Sequence, residues 1–137
     1  MNYCDKVDVF ALKSFSDSFK RWLTGRSKVR LHEVDGAQEI CKDVYTTGGL
    51  RWPIKGQSLV VRTDDGLTVI NGCAHPGLES VLRVASKLRE IYGVIGGFHG
   101  FSKLEVLKGV SLIVSCHCTM RKKELFDHDV KTEEIIS

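Results

Sequence analysis

The chain has 137 residues, 42% hydrophobic and 27% charged, with 20 basic against 17 acidic side chains for a formal net charge of +3. That size and balance suit one globular domain with its own core, and exclude a pair of full domains, a disordered chain and a nucleic-acid binder driven by charge alone. No apolar run reaches the roughly 20 residues of a membrane span, and the first ten residues, with Asp5, Lys6 and Asp8, lack the basic-then-apolar order of a secretion signal, so a cytoplasmic protein is expected.

In chain order, Ser14 to Leu23 sets Phe15, Phe19, Trp22 and Leu23 at helical spacing, which predicts a short amphipathic helix ending near Gly25. Lys28 to Val34 alternates weakly as a strand, and Glu39 to Thr47 is β-favouring before Gly48-Gly49. Leu50 to Gly56, with Trp52 and Pro53, reads as a loop. Ser58 to Thr63 and Leu67 to Asn71 form two β-rich runs around Asp64-Asp65-Gly66, a hairpin signal. Leu78 to Leu88 is helical by its apolar spacing, and Ile91 to Ile95, closed by Gly96-Gly97, reads as a buried strand. Ser102 and Glu105 form a capping-box pattern for a short helix, Leu112 to Val114 is another buried strand, and Thr119 is placed to cap a last helix reaching about Phe126. The tail from Asp127 is charged and carries no clear pattern.

From Leu67 to Val114 the order strand, helix, strand, helix, strand makes two βαβ units, whose right-handed crossovers put the strands parallel in one sheet. Just past the three carboxyl ends come Gly72-Cys73-Ala74-His75-Pro76-Gly77, Gly96-Gly97-Phe98-His99-Gly100 and Cys116-His117-Cys118-Thr119. Each strand thus delivers a histidine to the edge where α/β sheets collect ligands, and His75, His99 and His117 form a candidate set for one divalent ion with a position left open. His32 and His128, outside this pattern, read as ordinary surface histidines. The five cysteines (Cys4, Cys41, Cys73, Cys116, Cys118) are expected as free thiols or metal ligands. Strand alternation sends Cys116, His117 and Cys118 to opposite faces unless the strand has already ended, so His117 is preferred as the ligand. Cys73 reads as a small buried thiol first, and as a ligand or a nucleophile assisted by His75 second. Backbone N–H groups after Pro76 and after Ser102 offer a weak anion site.

Together the stretch from about Glu39 to Thr119 resembles the metallo-β-lactamase-fold superfamily, in the branch of the dihydropterin–ribofuranosylaminobenzene-phosphate synthase of methanopterin biosynthesis. The carrying residues are Val44-Tyr45-Thr46-Thr47-Gly48, Gln57-Ser58-Leu59-Val60-Val61 and the three histidine segments. The resemblance covers the C-terminal half of that fold, so it implies that residues 1–137 form a single α/β domain, half of an αββα sandwich, with one mixed sheet and helices mainly on one face. It further implies one or two divalent ions, zinc first and iron or manganese next, held by His75, His99 and His117, with His117 the foremost ligand and orientation of substrate an alternative role for His99. Gln57, Cys73, Gly96, Gly97 and Thr119 would then lie around the substrate. Metal-bound hydroxide attacking a phosphoryl or acyl centre is the chemistry implied. The superfamily's His-x-His-x-Asp-His motif is absent from the 137 residues. The expectation is therefore a truncated or split hydrolase, completed by a homo-oligomer or by a separate chain carrying the N-terminal half. The alternative is a non-catalytic remnant, without metal, that binds a phosphorylated small molecule or a protein partner.

Overall fold

The computed structural model describes residues 6–50, 54–116, 118–120, 123 and 125, and the backbone of 131–134. The elements are β1 (Val7–Leu12), α1 (Asp17–Thr24), β2 (Val29–Val34), β3 (Gln38–Cys41), β4 (Val44–Thr46), β5 (Leu59–Thr63), β6 (Gly66–Cys73), α2 (Leu78–Ala85), β7 (Ile91–Gly97), a 3₁₀ turn (Leu104–Leu107), β8 (Leu112–Ser115) and β9 (Lys131–Glu134). Strands β3 to β9 form one mixed sheet in chain order, antiparallel from β3 to β6 and parallel from β6 to β9. β1 and β2 form a separate parallel pair. β1 and β9 lie beyond the elements that the sequence pattern announces.

The residue alternation of the central strands decides the layers. Val60, Val69, Val94 and Ile113 stand side by side across β5 to β8 and are fully buried. They share one core with Leu78, Val81, Leu82 and Ala85, the apolar stripe of α2, so this helix covers that face of the sheet. The adjacent row, Leu59 paired with Ile70, points to the opposite face and remains 40% and 39% exposed. On that side the Gln57 amide donates to the Phe10 carbonyl of β1 at 2.9 Å, and a hollow of about 360 Å³ lies between Phe10 and the Leu59–Ile70 pair. The short β1–β2 sheet is thus a partial second layer.

Local chemistry explains where expectation and structure part. The Ser16 hydroxyl caps α1, accepting from the Phe19 N–H, and Lys20 forms an ion pair with Glu33 of β2. Leu23 is the buried residue of α1, whereas Phe15, Phe19 and Trp22 stay exposed, Phe15 edge-on to Phe19 and Phe19 stacked on Trp22, with Arg26 over the indole at 4.2 Å. The helical spacing holds, and the aromatic stripe packs largely on itself. Glu39 to Thr47 is a hairpin rather than one strand, turned at Asp43 with φ +62°. α2 ends three residues short of Leu88, which is exposed. The capping box does not form, because Lys103 occupies the cap position of a 3₁₀ turn with no side-chain cap bond. Thr119 caps nothing that is described, and its hydroxyl instead accepts from the Phe98 N–H at 3.1 Å. Most of the last predicted helix, like His117 and His128, lies outside the described residues. His32 is held by Asp8 at 2.6 Å and stacks on Phe10, which agrees with a structural role.

Candidate metal centre

Parallel pairing places the carboxyl ends of β6, β7 and β8 at one edge, with Cys73 in register with Gly97 and Gly96 in register with Ser115. β8 ends at Ser115, and the chain turns at once, the Thr119 N–H donating to the Cys116 carbonyl at 3.2 Å. The alternation argument against the cysteines therefore stops applying at Cys116. The turn carries Cys118 back to the end of β6, where its Sγ lies 3.0 Å from Cys73 Sγ; Cys73 Sγ is in turn 3.8 Å from His99 Nδ1. These three donor atoms all lie within 4.8 Å of one another. His75 adds a second imidazole, its ring 4.8 Å from that of His99.

Two glycines make this approach possible. A Cβ at Gly97 would overlap Cys118 Sγ and sit 2.7 Å from the Gly72 carbonyl oxygen. Gly96 has φ +140°, and a Cβ there would overlap the Asn71 carbonyl. His99 itself adopts φ +50°, a conformation that costs a non-glycine residue about 1 kcal/mol or more, and its carbonyl is fixed by the Met120 N–H at 3.1 Å. Behind the edge runs a buried polar relay that the sequence did not single out. The Ser58 hydroxyl donates to Asn71 Oδ1 at 3.3 Å, and Asn71 Nδ2 donates to the Gly97 carbonyl at 3.2 Å. The one available signal was an asparagine at the end of an otherwise apolar strand, where burial demands partners.

Burial, reinforced by the adjoining Cys118 thiol, pushes the Cys73 thiol up from 9.0 to about 11, so Cys73 is a protonated thiol near neutral pH. That weakens its reading as a nucleophile activated by His75. Gln57 stands apart from the cluster: both ends of its amide are engaged, donating to Phe10 and accepting from the Thr46 hydroxyl at 2.9 Å. A cleft of about 260 Å³ opens beside His75 and His99, bounded by Phe101 and Ser102. Glu79, in the first turn of α2 and paired with Lys103 at 3.2 Å, presents its own carboxylate there, which disfavours an external anion at that helix start. Two sulfurs and an imidazole in one cluster suit a borderline divalent ion such as zinc better than magnesium or calcium.

The backbone matches the crystal structure of Tm1679, a metal-dependent hydrolase of the β-lactamase superfamily, with a TM-score of 0.76 and 24% identity, over 96% of this chain and 69% of that one. The chain has the metallo-β-lactamase fold. A curated relative of this metallo-β-lactamase-fold chain is the 7,8-dihydropterin-6-methyl-4-(β-D-ribofuranosyl)-aminobenzene-5′-phosphate synthase of Methanocaldococcus jannaschii, 30% identical over 134 aligned positions and 76% of this chain. The resemblance read from the motifs thus holds at the level of the fold, and the chain is similar in sequence to the synthase of the expected branch. The chain spans about half (46%) of that relative's length. No protein-family model matches the sequence. Among the described residues, no helix is long and apolar enough to cross a membrane.

Proposed function

We propose that this metallo-β-lactamase-fold chain forms one side of a metal-dependent active centre that cleaves or transfers at a phosphoryl or acyl group, and that a second polypeptide segment supplies the other side. The observation that carries this reading is the gathering of His75, His99, Cys73 and Cys118 at the carboxyl ends of parallel strands. His75, His99 and His117 are the imidazoles offered to the ion. Bound there, a divalent ion supplies Lewis acidity toward the oxygen on which charge develops. Gly96 and Gly97 let Asn71, the end of β6 and Cys118 pack directly on the backbone of β7 and so shape this edge, and Thr119 holds the loop in place through Phe98. The missing His-x-His-x-Asp-His motif fits completion by a separate chain carrying the N-terminal half, and the half-exposed Leu59–Ile70 face fits either that chain or a homo-oligomer. The curated relative's product and Tm1679's description keep both a synthase and a hydrolase outcome within this reading.

Metal analysis of the purified chain tests it. Stoichiometric zinc, iron or manganese that falls on His99→Ala is expected, together with phosphodiesterase activity appearing only after a segment with the missing motif is added. A metal-free chain that takes up no ion would overturn it. It would favour the second reading, a non-catalytic module for a phosphorylated small molecule or a protein, to which the absent motif lends support.

A further inference from the structure

The geometry points to a sulfur-built zinc site: Cys73, Cys118 and His99 together ligate one Zn²⁺ at the strand ends. This rests on the reading that the edge holds a metal, and it specifies the donors and the class of ion. A tetrahedral zinc with Zn–S of about 2.3 Å and Zn–N of about 2.0–2.1 Å has sulfur–sulfur edges near 3.8 Å and sulfur–nitrogen edges near 3.6 Å. Cys73 Sγ and His99 Nδ1 already stand 3.8 Å apart. The two sulfurs, at 3.0 Å, need to open by about 0.8 Å. Cys118 lies in a turn beyond the end of β8, outside the sheet ladder, so this movement breaks no strand pairing.

Three further features favour this assignment. Gly97 leaves the volume that Cys118 Sγ occupies, so the thiol's position depends on a residue with no side chain. His99 is held in a left-handed conformation with its Nδ1 toward Cys73, the kind of local strain found at ligand sites. Among the described residues no carboxylate joins the cluster, as a magnesium, calcium or manganese site would need. Both thiols give up their protons to solvent on ligation. Three protein donors leave a fourth position, the pattern of catalytic rather than structural zinc.

The test is a Co²⁺ titration of the reduced chain without oxygen, followed by absorption. The expected result is one equivalent bound with an intense thiolate-to-cobalt charge-transfer band in the near ultraviolet. The band should fall by at least about half in Cys73→Ser and in Cys118→Ser and be unchanged in the control Cys41→Ser, whose thiol is exposed on β3. As a measurement that needs no variant, Zn²⁺ should protect Cys73 and Cys118 from alkylation by at least about tenfold, while Cys41 stays reactive. Cobalt bound without the charge-transfer band, or without protection of these two thiols, overturns the sulfur site. If that binding is lost in His75→Ala, the histidine-based reading survives. No uptake of either ion overturns both.

Discussion

Gly97→Ala probes the packing that brings the cluster together. The new Cβ would overlap Cys118 Sγ and stand 2.7 Å from the Gly72 carbonyl oxygen. The thiol is able to swing away, but the carbonyl belongs to β6, one residue before the Cys73–Gly97 pair. Reaching the lower edge of ordinary carbon–oxygen contact, about 3.3 Å, requires the two strand ends to part by about 0.6 Å. Overpacking of this kind costs about 1–3 kcal/mol, and a backbone obstacle puts the expected loss at about 2–3 kcal/mol. For a chain of this size that lowers the melting temperature by roughly 6–15 °C. Urea unfolding followed by circular dichroism should show a lower midpoint with an unchanged slope. Gly97→Ala combined with Cys118→Ala removes the sulfur obstacle, so the pair should couple by about 1 kcal/mol in the stabilising direction. A Gly97→Ala melt within about 2 °C of the parent would refute the packing argument, and strict additivity in the double variant would refute the part assigned to Cys118.

Alkylation of Cys73 in the reduced chain should be slow near neutral pH and accelerate only as pH climbs toward about 11, with exposed Cys41 reacting first; mass mapping against pH reads this directly. Because the folded pKa lies above the unfolded value, the same thiol favours the fold below about pH 9 and ceases to do so as pH rises from there to about 11, which unfolding curves across that window should register. Leu59→Lys together with Ile70→Lys should leave the melting temperature within about 3 °C of the parent, since both side chains are already half-exposed, and should weaken any self-association seen by sedimentation. Ser115 is fully buried and its hydroxyl has no hydrogen-bond partner among the described residues, so Ser115→Ala should stabilise the chain by about 0.5–1 kcal/mol in chemical denaturation.

What was legible in the sequence follows the range of the forces involved. The β5–β6 hairpin, α2 and the strands β7 and β8 are announced by short-range periodicity and turn chemistry, and the βαβ handedness rule then brings their carboxyl ends together without further information. That reasoning sets His75 and His99 at one edge, where their rings stand 4.8 Å apart. Alternation argues against Cys118 only when carried three residues past the end of the strand at Ser115, and the turn at Cys116 decides otherwise. The partner of Asn71 and the engagement of Gln57 with Phe10 depend on segments 26 and 47 residues away in the chain, which no local pattern encodes. β1 stayed hidden because its strand character comes from pairing with β2 rather than from alternation of its own. The exposed aromatics of α1 show the same limit, since helical spacing reveals a stripe but not whether another layer covers it.

The order of strands in the large sheet has a kinetic consequence. Because β3 to β9 are neighbours in space in the same order as in the chain, the sheet is able to grow from one side, each strand adding to the last. At the antiparallel end, β3–β4 and β5–β6 close through tight turns, a kind of hairpin that forms in about 1–10 μs, whereas the parallel end waits for the α2 crossover and the closure of longer loops. Cys73 and Cys118 are 45 residues apart and meet only when the third parallel strand has docked. An ion that bridges them is thus captured only after β8 has joined the sheet, and it ties the turn beyond β8 to the end of β6.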